Sequence, residues 1–285
     1  MSGWGEGSLG RGTYPVQTLH FISGLPRAGS TLLAGLLRQN PRFHAGIISP
    51  MGPIYMALQE ATSAKSETAV FVSPAQKERL LRAAFSAFYE DLGPDHVVFD
   101  TSRLWCAKLS GLVRLFPDAR LICCVRHVPW IMDSFERLVR RNAFDLSGIF
   151  SFEKSNTVYG RLDGLSKEAG TVGFAWNALK EAYYGEHADR LILLRYESLA
   201  ESPGDTLRKL YTLLGLPWFA HDFDNVTFDA GDFDARLGTP GLHDVRGKVR
   251  REERTTILPP DLFRKYESDT FWADPKLNLR KVVVL

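Results

Sequence analysis

The chain has 285 residues, a length that suits one α/β domain with insertions better than two full domains. Its net charge of +2 excludes a strongly basic nucleic-acid-binding protein, and no apolar run reaches the roughly 18 residues of a membrane span. Three cysteines, two of them adjacent in an apolar run, argue against a disulfide framework and predict a reducing compartment such as the cytoplasm. The glycine-rich residues 1–16 predict a flexible leader, and we expect one domain over residues 17–285.

Apolar strands alternate with amphipathic helices along the chain. The predicted strands are Thr18–Gly24, His96–Asp100, Ala119–Arg126 and Arg190–Leu199. The predicted helices are Ser30–Gln39, Pro74–Leu92, Trp105–Phe116, Pro129–Arg141, Val172–His187 and Pro203–Leu216. This alternation predicts an α/β fold with a central parallel sheet flanked by helices. Ligands of such sheets bind beyond the carboxyl ends of the strands, so the residues that follow each strand are the candidates for a site.

The first strand runs into a glycine-rich turn, GLPRAGST, over residues 24–31. Two glycines five residues apart, the second being Gly29, follow the pattern of a nucleotide-binding P-loop, except that Ser30 stands in the place of the lysine. Backbone N–H groups at such a turn, together with the helix N-terminus, bind an oxyanion. Arg27 in the turn and Arg126 at the end of a later strand add two positive charges. The sequence therefore predicts a single P-loop-type domain that holds a polyanion without a metal ion.

Two segments resemble the sulfotransferases that use 3′-phosphoadenosine 5′-phosphosulfate (PAPS). GLPRAGSTLL is similar to their 5′-phosphosulfate loop, in the form found in tyrosylprotein sulfotransferases and bacterial relatives. In the family's second element, an arginine ends a strand and a serine eight residues later binds the 3′-phosphate with it; Arg126 and Ser134 have this spacing. Tyr196, in LLRYESL, is similar to a tyrosine that lies near the adenine. The loop residues that the resemblance implies for donor binding are Arg27, Ala28, Gly29, Ser30, Thr31 and Leu32.

The resemblance implies in-line transfer of a sulfuryl group from PAPS to a hydroxyl acceptor, with adenosine 3′,5′-bisphosphate as the product. Arg27 would bridge the sulfuryl group and the leaving phosphate oxygen. Because the transferred SO₃ group carries no net charge, we expect the reaction to be independent of metal ions. In the family, a basic C-terminal loop closes over the nucleotide, which implies that Arg246 or Lys248 approaches the 3′-phosphate.

The family has two patterns for the residue that removes the acceptor's proton, and this chain departs from both. The histidine of the K-T-H-L-P segment would fall at Arg103, and the glutamate of the tyrosylprotein branch would fall in Ala45–Pro50, which has no acid. We predict Asp100 as the general base, because it is the only carboxylate at the end of an apolar strand. Arg103 would orient the acceptor or stabilise charge. His44 is the second candidate base, and a helix N-cap or a partner of Arg103 is the structural alternative for Asp100.

Two other functions fit the same loop. One is a P-loop kinase that uses ATP and magnesium, with Asp100 as the metal-site acid. The other is a nucleotide-binding module without catalysis.

Residues Asn142–Gly170 show no sustained period, yet they carry many apolar side chains. We expect a long connection that forms an apolar lid or wall over the acceptor, favouring one with an aromatic or lipophilic part, such as a peptide tyrosine or a small phenol. The alternatives are ordinary core packing and contact with a second subunit. No nucleic-acid or membrane partner is expected.

Overall fold

The computed structural model describes residues 18–145, 147–149, 156–245 and 247–285. These residues contain a six-stranded sheet with the order β2-β3-β1-β4-β5-β6, in which all neighbours are parallel. The strands are β1 (Thr18–Gly24), β2 (Phe43–Ala45), β3 (Val97–Thr101), β4 (Leu121–Val125), β5 (Leu191–Arg195) and β6 (Val283–Val284). The predicted parallel sheet is confirmed, and the short edge strands β2 and β6 extend it beyond the prediction. The predicted leader lies outside the described residues.

Helices flank this sheet, as the sequence predicts. The helices of the described residues are α1 (Ser30–Leu37), α2 (Met51–Ala61), α3 (Pro74–Phe88), α4 (Leu109–Leu115), α5 (Val128–Arg141), α6 (Val158–Ser166), α7 (Thr171–Tyr184), α8 (Tyr196–Glu201), α9 (Pro203–Leu214), α10 (Gly231–Arg236) and α11 (Pro260–Lys265). None of them is both long and apolar enough to cross a membrane.

The central strands are apolar because both faces of the sheet are covered. Every residue of β3 and β4 is buried, as is every residue of β1 after its first. An aromatic cluster packs against β1: the ring of Phe21 lies 5.5 Å from that of Trp105 and 5.8 Å from that of Phe85. These edge-to-face contacts hold α3 and the segment after β3 against the sheet.

The predicted connection over residues 142–170 is wrong in part, because α6 occupies Val158–Ser166. The side chain of Thr157 caps this helix, and Leu162 and Leu165 are buried in the core. Two glycines within nine residues interrupt the apolar period and lower the helix propensity. Burial of one face against the rest of the domain therefore forms a helix that the sequence pattern did not reveal.

Candidate active site

A cavity of about 480 Å³ lies at the edge of the sheet where the parallel strands end. Its strand-end half consists of the loop 23–32, Arg126, Ser134 and Tyr196. Its loop half is formed by segments that lie in no strand: residues 47–48, residues 148–149 and residues from 233 to 245. The strand-end half is polar and basic, whereas the loop half contributes most of the apolar wall.

The loop after β1 has the geometry of an anion cradle. Gly24 and Gly29 have φ values of 100° and 96°, and a Cβ at Gly24 would collide with the backbone of Cys124. The first helical bond of α1 runs from the N–H of Leu33 to the carbonyl of Gly29 at 2.9 Å, so the preceding N–H groups of the first turn have no partner within the helix. Arg27 has a φ of 56°, a left-handed conformation uncommon outside glycine and typical of ligand clamps.

Arg27 joins this loop to α5. Its Nε donates to the Oγ of the buried Ser134 at 3.0 Å. Burial, together with the neighbouring charge of Arg126, lowers the pKa of Arg27 to about 10. The guanidinium therefore remains cationic at neutral pH. Its bond to Ser134 joins the predicted 5′-phosphosulfate loop to the element predicted to bind the 3′-phosphate.

Arg126 follows β4 and lies beside the same loop. Its Nη1 donates to the carbonyl of Arg27 at 3.4 Å, and its guanidinium lies 4.0 Å from the centre of the Tyr196 ring. Within the described residues, its buried Nε has no hydrogen-bond acceptor. A buried N–H without a partner is costly, and an anion beside it would supply the missing acceptor. The parallel pairing of β1 with β4 brings both arginines to one edge of the sheet.

A third arginine reaches the cavity from the C-terminal segment. The Nη2 of Arg254 lies 3.1 Å from the buried Oδ2 of Asp133, next to Ser134 on α5. The other oxygen of Asp133 accepts from the N–H of Ile257 at 2.8 Å and from the hydroxyl of Thr256 at 3.0 Å. These contacts of Asp133 hold the C-terminal segment against α5. From the sequence of this basic segment we predicted donor contacts for Arg246 or Lys248, and not for Arg254.

Of the two basic residues predicted in this segment, Lys248 lines the cavity, while its exposed Nζ pairs with Asp224 at 2.8 Å. Arg246 lies outside the described residues. Of the loop residues predicted for donor binding, only Ala28 does not line the cavity; it is fully buried beneath the loop. Arg103 lines the cavity and is exposed to it.

Asp100 does not belong to the cavity, so its assignment as the general base is wrong. Its side chain is 1% exposed, and it accepts from the hydroxyl of Tyr89 at 2.5 Å and from the indole N–H of Trp105 at 2.7 Å. Burial raises its pKa, and the two donors oppose that shift. Both carboxylate oxygens are therefore occupied in the core. The other candidate base, His44, is exposed in β2 and packs on the ring of Tyr89, also outside the cavity.

The loop half depends on contacts between distant segments. The N–H of Gly148 donates to the carbonyl of Leu237 at 3.1 Å, and the hydroxyls of Ser147 and Thr239 lie 2.5 Å apart. These bonds place Ile149 in the apolar wall, together with Ile48 from the segment after β2. Among the described residues of the predicted lid, 148–149 line the cavity, whereas Phe144 is fully exposed. Thr171, just after the predicted lid, also lines the cavity. Leu146, Phe150 and Phe152 of that prediction lie outside the described residues.

An aspartate–histidine pair also lies in the loop half and was not predicted from the sequence. The Nδ1 of His243 lies 2.5 Å from Oδ1 of Asp234, and His243 lines the cavity. His243 lies nine positions after Asp234 and beyond the end of α10, so no helical or strand period relates the two residues. The only available signal was a histidine within the glycine-containing segment GLHDVRGK.

Comparison with known proteins identifies the family of this chain. The model of the sulfotransferase family matches residues 20–220, which is more than half of the chain. The chain belongs to the sulfotransferase family. This sulfotransferase-family chain is 26% identical over 210 residues to protein-tyrosine sulfotransferase 1 of Danio rerio, a match that covers 70% of the chain and 54% of that relative. It is 26% identical over 257 residues to protein-tyrosine sulfotransferase 2 of Gallus gallus, covering 86% of the chain and 61% of that relative.

The chain thus spans little more than half the length of these curated relatives. Among solved structures, it resembles a sulfotransferase domain from the curacin biosynthetic pathway, with a TM-score of 0.59 and 17% sequence identity over 92% of the chain and 98% of that domain. At this identity the likeness shows the fold. The predicted resemblance to sulfotransferases and the predicted fold are both confirmed.

Proposed function

We propose that this sulfotransferase-family chain transfers a sulfuryl group from PAPS to a hydroxyl acceptor. The observation that carries the proposal is the meeting of Arg27, Arg126 and Ser134 at the ends of two adjacent parallel strands. Family membership supports sulfuryl transfer, and this geometry supports a donor with two anionic groups.

The strand-end half fits such a donor. In this proposal the N–H groups at the start of α1 hold the 5′-phosphosulfate, while Arg126 and Ser134 hold the 3′-phosphate. The unpartnered buried Nε of Arg126 supports the latter role, because a phosphate oxygen would satisfy it. Tyr196, already stacked on Arg126, offers its ring to the adenine. When bound, PAPS supplies the sulfuryl group and the bisphosphate that leaves with the electron pair of the broken sulfur–oxygen bond.

In this proposal Arg27 stabilises the leaving oxygen. It is anchored by Ser134 and held in a left-handed conformation, so little reorganisation is needed as charge develops. Together with Arg126 and Arg254, it lines the cavity with fixed positive charge. We propose that these cations make a metal ion unnecessary, which activity in EDTA would test.

The acceptor binds in the loop half. Its wall contains the apolar side chains Ile48, Ile149, Phe233 and Leu242. Such a wall favours an aromatic or lipophilic acceptor over a bare sugar. Relatives named protein-tyrosine sulfotransferases support a phenolic hydroxyl, either on a peptide tyrosine or on a small molecule. The free, buried thiols of the three cysteines support the predicted location in a reducing compartment such as the cytoplasm.

A ligand panel tests the donor directly. Adenosine 3′,5′-bisphosphate should raise the melting temperature strongly, and it should do so in EDTA, because a ligand that binds only the folded state stabilises it. Greater stabilisation by ATP with magnesium would favour the kinase instead. Transfer of radiolabelled sulfate from PAPS to a panel of phenols and tyrosine peptides then tests catalysis. Binding of the bisphosphate without transfer to any acceptor would favour the non-catalytic module.

A further inference from the structure

A carboxylate clamps a histidine in the loop half, beyond the residues 20–220 that the family model matches. The backbone N–H of His243 donates to Oδ2 of Asp234 at 2.8 Å, and the ring Nδ1 lies 2.5 Å from Oδ1. The side chain of Asp234 is only 4% exposed. Both of its oxygens therefore hold a single residue, and they fix the orientation of the imidazole.

This arrangement determines which ring nitrogen of His243 keeps a lone pair. A carboxylate can only accept, so Nδ1 of His243 carries the hydrogen and donates to Asp234. In the neutral ring, Nε2 is then the basic nitrogen. Nε2 has no hydrogen-bond partner among the residues that the structure describes, and the side chain of His243 is 18% exposed, at the cavity. The ring of Phe233 lies 5.6 Å away and restricts its movement.

We propose that His243 is the general base for the acceptor hydroxyl and that Asp234 is its positioning residue. This inference rests on the proposed function. The acceptor oxygen forms a bond to sulfur while the bond from sulfur to the phosphate oxygen breaks, and the acceptor's proton moves to Nε2 of His243. The leaving bisphosphate keeps the electron pair, and Arg27 faces it from the other half of the cavity. The pair fills the role that Asp100 cannot fill from the core.

The electrostatic surroundings suit a base at neutral pH. Burial lowers the pKa of His243, and the charges of Arg27 and Arg103 lower it further, whereas the hydrogen bond and charge of Asp234 raise it. A lowered pKa leaves the imidazole neutral and able to accept a proton at pH 7. After transfer, Asp234 stabilises the imidazolium.

The first test removes the base and compares it with a histidine outside the cavity. H243Q, with H243N as a second variant, should lower kcat by about 10²–10⁴-fold, the usual contribution of a general base. The affinity for adenosine 3′,5′-bisphosphate, measured by calorimetry, should change little, because that ligand occupies the strand-end half. H44Q serves as the matched control and should keep the turnover of the original chain. Unchanged kcat in a folded H243Q, or loss of turnover in H44Q instead, would overturn the assignment.

The second test compares the pKa of His243 with the pH dependence of kcat/KM. The two would not change together if His243 had only a structural role. Removing the negative charge in D234N should lower the pKa of His243, followed by NMR of the labelled imidazole. The acid limb of the kcat/KM profile should then move to lower pH by the same amount. A limb that stays in place while the imidazole pKa moves would exclude His243 as the base. If the original chain neither binds the bisphosphate nor transfers sulfate, the proposed function itself fails and the inference with it; binding and transfer with a normal H243Q would overturn the inference alone.

Discussion

The two halves of the cavity are built by different means. The strand-end half rests on the hydrogen bonds of the sheet, since the loop 23–32 and Arg126 follow directly from the paired strands β1 and β4. The loop half is assembled from three separate chain segments, joined by contacts such as those between residues 147–148 and residues 237–239. A rigid sheet edge suits the binding of a donor that is always the same molecule. The irregular segments that cover this edge can change shape without disturbing the sheet. We therefore expect donor binding and acceptor choice to be separable by mutation.

The largest effect should come from replacement of Arg126, which should disrupt donor binding in the strand-end half. Arg126→Ala should weaken binding of adenosine 3′,5′-bisphosphate by about 2–5 kcal/mol, because a charge-assisted contact in a desolvated site disappears. Calorimetry measures this directly. Arg195 is a matched control, since it ends the next strand, β5, and does not line this cavity. Equal affinities in Arg126→Ala and Arg195→Ala would remove Arg126 from the donor site.

Replacement of Arg27, in the same half of the cavity, should affect turnover more than donor binding. Arg27→Ala should lower kcat by on the order of 10²–10³-fold, as loss of one preorganised donor to a developing charge does. Its effect on bisphosphate affinity should be smaller than that of Arg126→Ala. Arg38→Ala, an exposed arginine that follows α1 and lies over Phe228, is the control. A loss of affinity as large as the loss of turnover would mean that Arg27 only binds.

Acid should weaken the sheet on which the strand-end half depends. His20, near the start of β1, is 3% exposed, and burial lowers its pKa to about 4, with the charge of Arg120 adding to the shift. The folded state therefore favours neutral His20, so the stabilisation is complete above pH 6.5 and is lost as the pH falls towards 4. The loss should reach on the order of 3 kcal/mol in the free energy of unfolding, from urea titrations at several pH values.

His20→Phe should reduce the dependence of the unfolding free energy on pH between 6.5 and 4, whatever the variant's stability at neutral pH. Replacement of His187, which lies outside the sheet, should leave this dependence as it is. An unchanged pH dependence in His20→Phe would place the acid sensitivity elsewhere.

The smallest effect should fall on the loop half alone. Ile48→Ala should raise KM for a phenolic acceptor by about tenfold, since a few lost methyl groups in a pocket are worth ~1–3 kcal/mol. The affinity for the bisphosphate should not change. Ile54, exposed on α2 and away from the cavity, is the control. A shift in bisphosphate affinity without a change in KM would show that the two halves are not separable.

The strand-end half was predictable because its parts are contiguous or follow apolar runs. The glycine-rich turn, and the spacing from Arg126 to Ser134, are visible without any coordinates. Asp100 was placed wrongly because the sequence shows that a carboxylate stands near a strand end but not to which side its chain points. Successive side chains of a strand face opposite ways, and that of Asp100 faces Tyr89 and Trp105.

The sequence by itself determined the parallel sheet, the glycine-rich loop after its first strand and the pair of arginines. Each follows from a local pattern and from the rule that parallel strands end at one edge. Only the tertiary structure decided the apolar wall, the contacts between Asp133 and the C-terminal segment, and the pairing of Asp234 with His243. These contacts join residues from separate elements and loops, and no helical or strand repeat relates one partner to the other. Their formation depends on how whole segments pack and which buried polar groups find partners, and that is settled only when the complete chain is folded.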